Sequence, residues 1–136
     1  MAKMVLLASY LAINSVDVSA YTSKIELSVE VDEKDVTTFA SAGWKEVLGG
    51  VKSGSLSATF QQDVAASAID SQMWALLGQV TTFEVRLANG ARSTSNPGYT
   101  GSVLIKKWDP ISGTVGDDAE VSVQYPTSGA VARQTS

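Results

Sequence analysis

The clearest signal in the sequence is an alternation of apolar and polar residues with a period of two. In TSKIELSVEVD, residues 22–32, Ile25, Leu27, Val29 and Val31 alternate with charged or small polar side chains. A strand points successive side chains to opposite faces, so this segment predicts a strand with one buried and one wet face. The same alternation returns in residues 54–62, 81–88 and 118–125.

Two further segments predict strands without a clean alternation. The apolar run MVLLASYLAI, residues 4–13, predicts a first strand that is buried on both faces, and YTGSVLIKKW, residues 99–108, predicts a long strand. With a short return segment at 16–18, these patterns give six or seven strands.

One segment changes the period. In VAASAIDSQMWALLG the residues Ile69, Met73, Leu76 and Leu77 follow the i, i+4, i+7, i+8 spacing of one helix face. Gly78 is placed to follow the helix end. We therefore expect one flanking α-helix at about residues 65–77.

The fold class predicted from these elements is mainly β, a β-sandwich or barrel-like sheet with one helix. The chain has 136 residues, which suits a single domain over residues 1–136. The small polar residues of PTSGAVARQTS predict a flexible arm at 126–136.

The connection between the two best strands is unusually long. DEKDVTTFASAGWKEVLGG, residues 32–50, carries charges, two aromatics and three glycines where a tight hairpin needs two to five residues. We expect a long loop at about residues 33–51.

Composition limits the chemistry. The chain has no His and no Cys, which excludes imidazole and thiolate metal sites and Ser-His or Cys-His catalysis. Asp117 and Asp118 are adjacent, so in a strand they diverge instead of converging as a glycosidase pair must. Asp32, Glu33 and Asp35 lack the ligand spacing of a calcium loop. We expect no catalytic, cofactor or metal site.

The polar faces of the predicted strands are rich in Glu, Ser, Thr and Gln and poor in cations, and the net charge is −4. An ordinary solvated sheet is one interpretation. The other is a surface along which a polyanion passes without sticking, because like charge disfavours binding.

Residues 13–62, INSVDVSAYTSKIELSVEVDEKDVTTFASAGWKEVLGGVKSGSLSATFQQ, resemble the major tail tube proteins of long, non-contractile bacteriophage tails. YTGSVLIKKW, VGDDAEVSVQY and SGAVAR near the end extend the resemblance over nearly the whole chain. The short motifs do not separate a tube subunit from related tail-completion or secretion-tube proteins.

The resemblance implies a virion tail protein, made in the host cytoplasm, whose hexameric rings stack into a tube. One sheet of each subunit would join its neighbours around a lumen through which viral DNA passes without specific binding. Other tail proteins are implied as partners, and no membrane span is expected. The residues expected to face the lumen are Glu26, Glu30, Asp32, Ser57, Gln61 and Glu120.

The long loop of this family reaches the neighbouring ring. The residues expected to make the inter-ring contact are Asp35, Phe39, Trp44, Lys45, Glu46, Val47 and Leu48. The alternative is that Phe39 and Trp44 fold back on their own domain.

A different class of function stays open. A monomeric β-sandwich module could bind a host surface or decorate a capsid, and such modules expose aromatic residues on loops. The loop at 89–98 has none, and the aromatics lie in the 32–50 segment.

Overall fold

The computed structural model describes residues 3–136, so residues 1 and 2 of the predicted domain lie outside it. The mainly β class is confirmed, with eight strands and one α-helix in the described residues. The elements are β1 Tyr10–Ile13, β2 Val16–Asp17, β3 Thr22–Asp35, β4 Val47–Gln61, α1 Ile69–Leu76, β5 Val80–Arg86, β6 Gly98–Leu104, β7 Glu120–Pro126 and β8 Ala132–Gln134.

The strands form two antiparallel sheets that pack as an open sandwich. The larger sheet has the order β2-β1-β5-β6-β8, and the smaller sheet has the order β3-β4-β7. The apolar positions of the period-two strands meet between them. The fully buried side chains include Leu56, Phe60 and Tyr125 from the smaller sheet and Leu11 and Val103 from the larger one.

The contacts at the two ends of β6 distinguish two sides of the molecule. At one end of β6, Tyr99 lines a cavity with Leu27 and Val29 of β3. At its other end, Val103 pairs with Thr127, directly after β7. The strand β6 therefore runs from the β3 side of the smaller sheet to its β7 side, as in orthogonally packed sandwiches.

The helix is shorter than predicted. It spans Ile69–Leu76, and its stripe begins as expected with Ile69 and Met73 fully buried. The Asp63 side chain accepts a hydrogen bond from the Ala65 amide at 3.0 Å, and Ser67 has a φ of 64°. These local turns keep residues 65–68 out of the helix. Gly78 follows its end with a φ of +86°, as predicted.

The N-terminal prediction was wrong in extent. Only Tyr10–Ile13 form a strand, paired with β5, whereas residues 4–7 have no strand partner. Leu7 is 88% exposed, so this apolar stretch is not buried on both faces. Hydrophobicity marked the stretch, but β5 ends at Arg86, the partner of Tyr10, so no residue of β5 lies opposite residues 4–9.

The segment expected to be a flexible arm contains secondary structure. Ser128 donates a backbone hydrogen bond to Ser102, and β8 then pairs with β6 over residues 132–134. Val131 packs against the core. Polar composition therefore did not prevent residues 126–134 from forming an edge of the larger sheet.

Candidate assembly surfaces

The predicted loop at 33–51 begins and ends in strand. The strand β3 continues to Asp35 and β4 begins at Val47, with Asp35 paired directly to Val47. The connection is only residues 36–46. Sequence alternation failed here because this part of the hairpin buries neither face, so charges can occupy both faces while the backbone still pairs.

The end of this hairpin projects beyond its sheet. The third strand, β7, pairs with β4 only over Ser55–Gln61. Residues 30–53 therefore form a two-stranded ribbon with its own turn, which we call the hairpin arm. Its paired part extends roughly 20 Å from the sheet at about 3.3 Å per residue.

The tip of the arm is folded by its own hydrogen bonds. The Thr37 hydroxyl accepts from the Glu46 amide at 2.8 Å, and the Ser41 hydroxyl accepts from the Thr38 amide at 3.1 Å. The Trp44 amide donates to the Ser41 carbonyl at 3.0 Å. Hydrogen bonds from the Thr37 side chain and amide lower the pKa of Asp35. The tip is a defined turn and not an unstructured loop.

Two aromatic side chains stand on this folded tip. Phe39 is completely exposed and Trp44 is 79% exposed, and neither belongs to the core cluster of the domain. In this single chain, then, the two side chains lie in solvent. Large apolar groups exposed on an ordered structure are typical of surfaces that contact another protein.

The remaining inter-ring residues also lie on the arm, but on different faces. Val47 pairs with Asp35, and Leu48 pairs with Lys34 on the opposite face of the ribbon. Lys45 Nζ lies 2.9 Å from Glu33 Oε1 in an exposed ion pair. All seven residues of the predicted inter-ring contact therefore lie on the hairpin arm. They are Asp35, Phe39, Trp44, Lys45, Glu46, Val47 and Leu48.

The second candidate surface is the outer face of the smaller sheet. The register places Glu26 beside Ser57, and Ser57 beside Gln124. Thr59 and Ser122 share a hydrogen bond at 3.1 Å. Five of the predicted lumen residues lie on this polar face: Glu26, Glu30, Ser57, Gln61 and Glu120.

Asp32 is the exception among the predicted lumen residues. A register shift lies between Val31 and Glu33, where β4 carries one extra residue. Asp32 keeps the side-chain direction of Glu26 and Glu30 but lies out on the arm, beyond the three-stranded part of the sheet.

A charged cluster that the sequence did not indicate lies on the larger sheet. Arg92 donates two hydrogen bonds of 2.8 Å to the Glu84 carboxylate, and Arg86 Nε lies 2.8 Å from the same group. The Arg86 guanidinium also stacks 3.9 Å from the centre of the Tyr10 ring. The hydrogen bonds from Arg92 lower the pKa of Glu84. The sequence shows only that Glu84 and Arg86 are two residues apart on one predicted strand, because Arg92 belongs to the loop that follows.

Over residues 3–136, no three acidic side chains converge on a common point where a metal could bind. No helix in the same range is long and apolar enough to cross a membrane.

A small two-sheet domain with a projecting arm, an aromatic tip and open sheet edges has the features of a structural subunit that assembles with other chains. The chain matches the phage tail tube protein family over residues 9–133, and it belongs to that family. The resemblance found in the sequence is confirmed.

Solved structures share the fold. One chain from the virion of a native gene transfer agent particle is 23% identical, covers 85% of each chain and has a TM-score of 0.68. A chain from the tail of an empty gene transfer agent particle with C6 symmetry is also 23% identical, covers 82% of this chain and 81% of that one, and has a TM-score of 0.65. A comparison with curated protein sequences found no match.

Proposed function

We propose that this protein is a non-catalytic structural subunit of a virion tail, which assembles into stacked hexameric rings around a conduit for DNA at ejection. Its membership of the tail tube family supports the tail assignment. The six-fold symmetry of the structurally similar gene transfer agent tail supports rings of six.

The observation that carries the proposal is the folded hairpin arm with its exposed aromatic tip. An isolated domain gains nothing from ordering a turn of eleven residues, 36–46, that holds Phe39 and Trp44 in water. In a stack of rings, the arm has the reach to cross to the next ring. Aromatic anchors of this kind often contribute 2 kcal/mol or more each to an interface.

The smaller sheet is proposed to line the lumen. Six copies of a three-stranded sheet contribute eighteen strands. With a strand spacing near 4.8 Å and a tilt near 40°, such a barrel measures roughly 36 Å between opposite backbones. That width leaves room for a DNA duplex inside the side chains.

The outer face of this sheet suits passage of DNA. On this face the central strand β4 carries the uncharged Ser57 and Thr59, β7 carries Ser122, and β3 carries Glu26 and Glu30 together with Lys24. DNA binding depends on neutralising phosphates with Lys or Arg, so a hydroxyl-rich and acidic wall holds DNA weakly. The Asp32 side chain would extend the same wall along the arm.

The aromatic tip also favours a second candidate, a monomeric module that binds a host surface or decorates a capsid. Such a module would use Phe39 and Trp44 as its own binding residues. It predicts a monomer at high concentration, whereas a tail tube subunit predicts rings or tubes.

The variant Trp44→Ala tests the role of the arm. Because Trp44 is 79% exposed in the single chain, we expect the circular dichroism spectrum and melting temperature to stay unchanged. Negative-stain microscopy should show tubes for the wild type and loss of tubes for the variant, with rings retained.

The conservative variant Trp44→Phe is the matched control and should still form tubes. Normal tubes from Trp44→Ala would contradict the inter-ring role, and so would unfolding of the variant monomer, since that would place Trp44 in its own domain.

A further inference from the structure

The smaller sheet ends in two different edges. The strands β3 and β7 each pair only with β4 within this sheet, and both run antiparallel to it. They therefore run in the same direction. A ring built by rotation brings the β3 edge of one copy to the β7 edge of the next, a head-to-tail contact between unlike surfaces.

The β3 edge presents carboxylates. Glu26 and Glu30 are exposed on the outer face of this edge strand. Neither carboxylate forms an ion pair with any of the described residues 3–136.

The β7 side presents lysines. The predicted strand at 99–108 ends at Leu104, after which Ile105 and Trp108 turn into the core and Lys106 and Lys107 remain exposed. The Tyr125 hydroxyl donates to the Lys107 carbonyl at 2.7 Å, which fixes this segment beside β7.

The position of these lysines is defined on both sides. The indole nitrogen of Trp108 donates to Asp70 at 2.9 Å, so the segment is anchored beyond Lys107 as well. Lys106 and Lys107 line a shallow depression on the outer face of the smaller sheet together with Ser122 and Gln124 of β7, and its far side is lined by Ser57 and Thr59 of β4 and Lys24 of β3. Lys106 has no ion pair with the described residues, and Lys107 lies 3.3 Å from the exposed Asp109.

The strand register relates the positions of the two charged groups. Through Ser57, the register places Glu26 level with Gln124, which is beside the lysines. A pure rotation about the ring axis keeps every residue at its own height. In a barrel tilted by about 40°, crossing three strands shifts the contact by roughly 12 Å, or about four residues. Glu30 lies four residues from Glu26 along β3.

We propose that Lys106 and Lys107 of one subunit form ion pairs with Glu26 and Glu30 of the next subunit in the ring. This inference rests on the proposed hexameric ring and names the residues that join it. The pairing also accounts for Lys106 and Lys107 beside the acidic face of the smaller sheet, because the carboxylates of the next subunit would neutralise their charge.

Charge exchange tests the pairing. The double variants K106E/K107E and E26K/E30K should each raise the protein concentration for half-maximal ring formation at least about tenfold, because like charges then face each other. The fourfold variant that combines them should restore assembly. Ring formation by the wild type should weaken with added salt, as exposed ion pairs do. Light scattering measures the assembled mass.

The outcomes separate the inference from the function it rests on. Wild-type rings together with normal assembly of both double variants would overturn the ion pairs and leave the tube function standing. Failure of the fourfold variant to restore assembly would overturn them as well. A wild type that stays monomeric at every concentration, together with a double-cysteine variant that gives no crosslink, would count against the ring itself.

A crosslink gives a second measurement, because the chain contains no cysteine. A short bis-maleimide crosslinker, which joins two cysteines at the longer distance of a Lys–Glu pair, should give a ladder of oligomers up to six copies from a variant carrying both Glu26→Cys and Lys106→Cys. A matched variant with Lys52→Cys in place of Glu26→Cys should give no ladder, since Lys52 shares the opposite face of the sheet with Val31. Equal ladders from the two variants, or none from either, would contradict the proposed contact.

Discussion

At the residue scale, similar aromatic side chains have opposite environments. Trp108 is 5% exposed and its ring lies 6.0 Å from the Phe60 ring, with its nitrogen bonded to Asp70. Trp44 is on the arm tip, in solvent. These two of the three tryptophans look alike in a composition count, yet Trp108 stabilises the domain and Trp44 is available to a partner.

The Glu84 cluster gives a prediction for the free energy of unfolding. Glu84→Gln should lower it by about 1 kcal/mol at neutral pH, because the carboxylate that accepts both hydrogen bonds from Arg92 is lost. Chemical denaturation of the wild type and the variant measures the difference.

The pH dependence of that difference follows from the lowered pKa of Glu84. A depressed folded-state pKa stabilises the fold above the unfolded value, here near 4.5, and this stabilisation is lost as pH falls through the folded value. The gap between wild type and variant should therefore close in acid. A gap that stays constant down to pH 2 would show that the carboxylate charge is not responsible.

At the scale of elements, the tip of the hairpin arm can be removed without changing the sandwich. Asp35 and Val47 are direct partners, so a two-residue Asn-Gly turn can replace residues 36–46. The shortened protein should keep its melting temperature and form rings, but the rings should no longer stack. Electron microscopy of the assembled sample distinguishes rings from tubes.

A same-length control keeps the tip and removes only its aromatics, as in a variant with Phe39→Ser and Trp44→Ser. This variant should also fail to stack. Tubes from the shortened protein would show that the arm is not the inter-ring contact.

The sequence predicted the elements that bury one face and missed the ends of those that do not. In β3, residues 25–31 alternate because one face meets or borders the core, and that part was located correctly. Glu33, Lys34 and Asp35 continue the strand by backbone pairing alone, which no side-chain pattern reports. The same reason hid β8, whose residues 132–134 pair at the rim of the larger sheet.

The candidate surfaces were predicted in part, for a related reason. The polar face of β3, β4 and β7 was readable because alternation fixes which residues share a face. The surface on which Lys106 and Lys107 lie was not readable from the sequence, because it depends on Ile105 and Trp108 turning into the core. Where a chain segment leaves a strand, its contacts are set by tertiary packing and not by the two-residue alternation of apolar and polar side chains.

At the scale of the whole molecule, the fold combines one polar sheet face with separate surfaces for contacts to other subunits. The sandwich holds the polar sheet face in place and its smaller sheet has two unlike edges. In the proposed tube these edges would close the ring, and the arm would leave the ring plane to reach the next ring. Closing the ring covers both edge strands, which would otherwise remain open to irregular pairing. In the proposed tube, the lumen wall, the contact within a ring and the contact between rings would therefore each be made by a different part of the fold.

The most direct test of the tail tube assignment is a helical reconstruction of tubes assembled from the purified protein. The account predicts six subunits per ring, the outer face of β3, β4 and β7 toward the lumen, and density for Phe39 and Trp44 against the adjacent ring. Tubes with this face on the outside, or with the arm tip free in solvent, would contradict it.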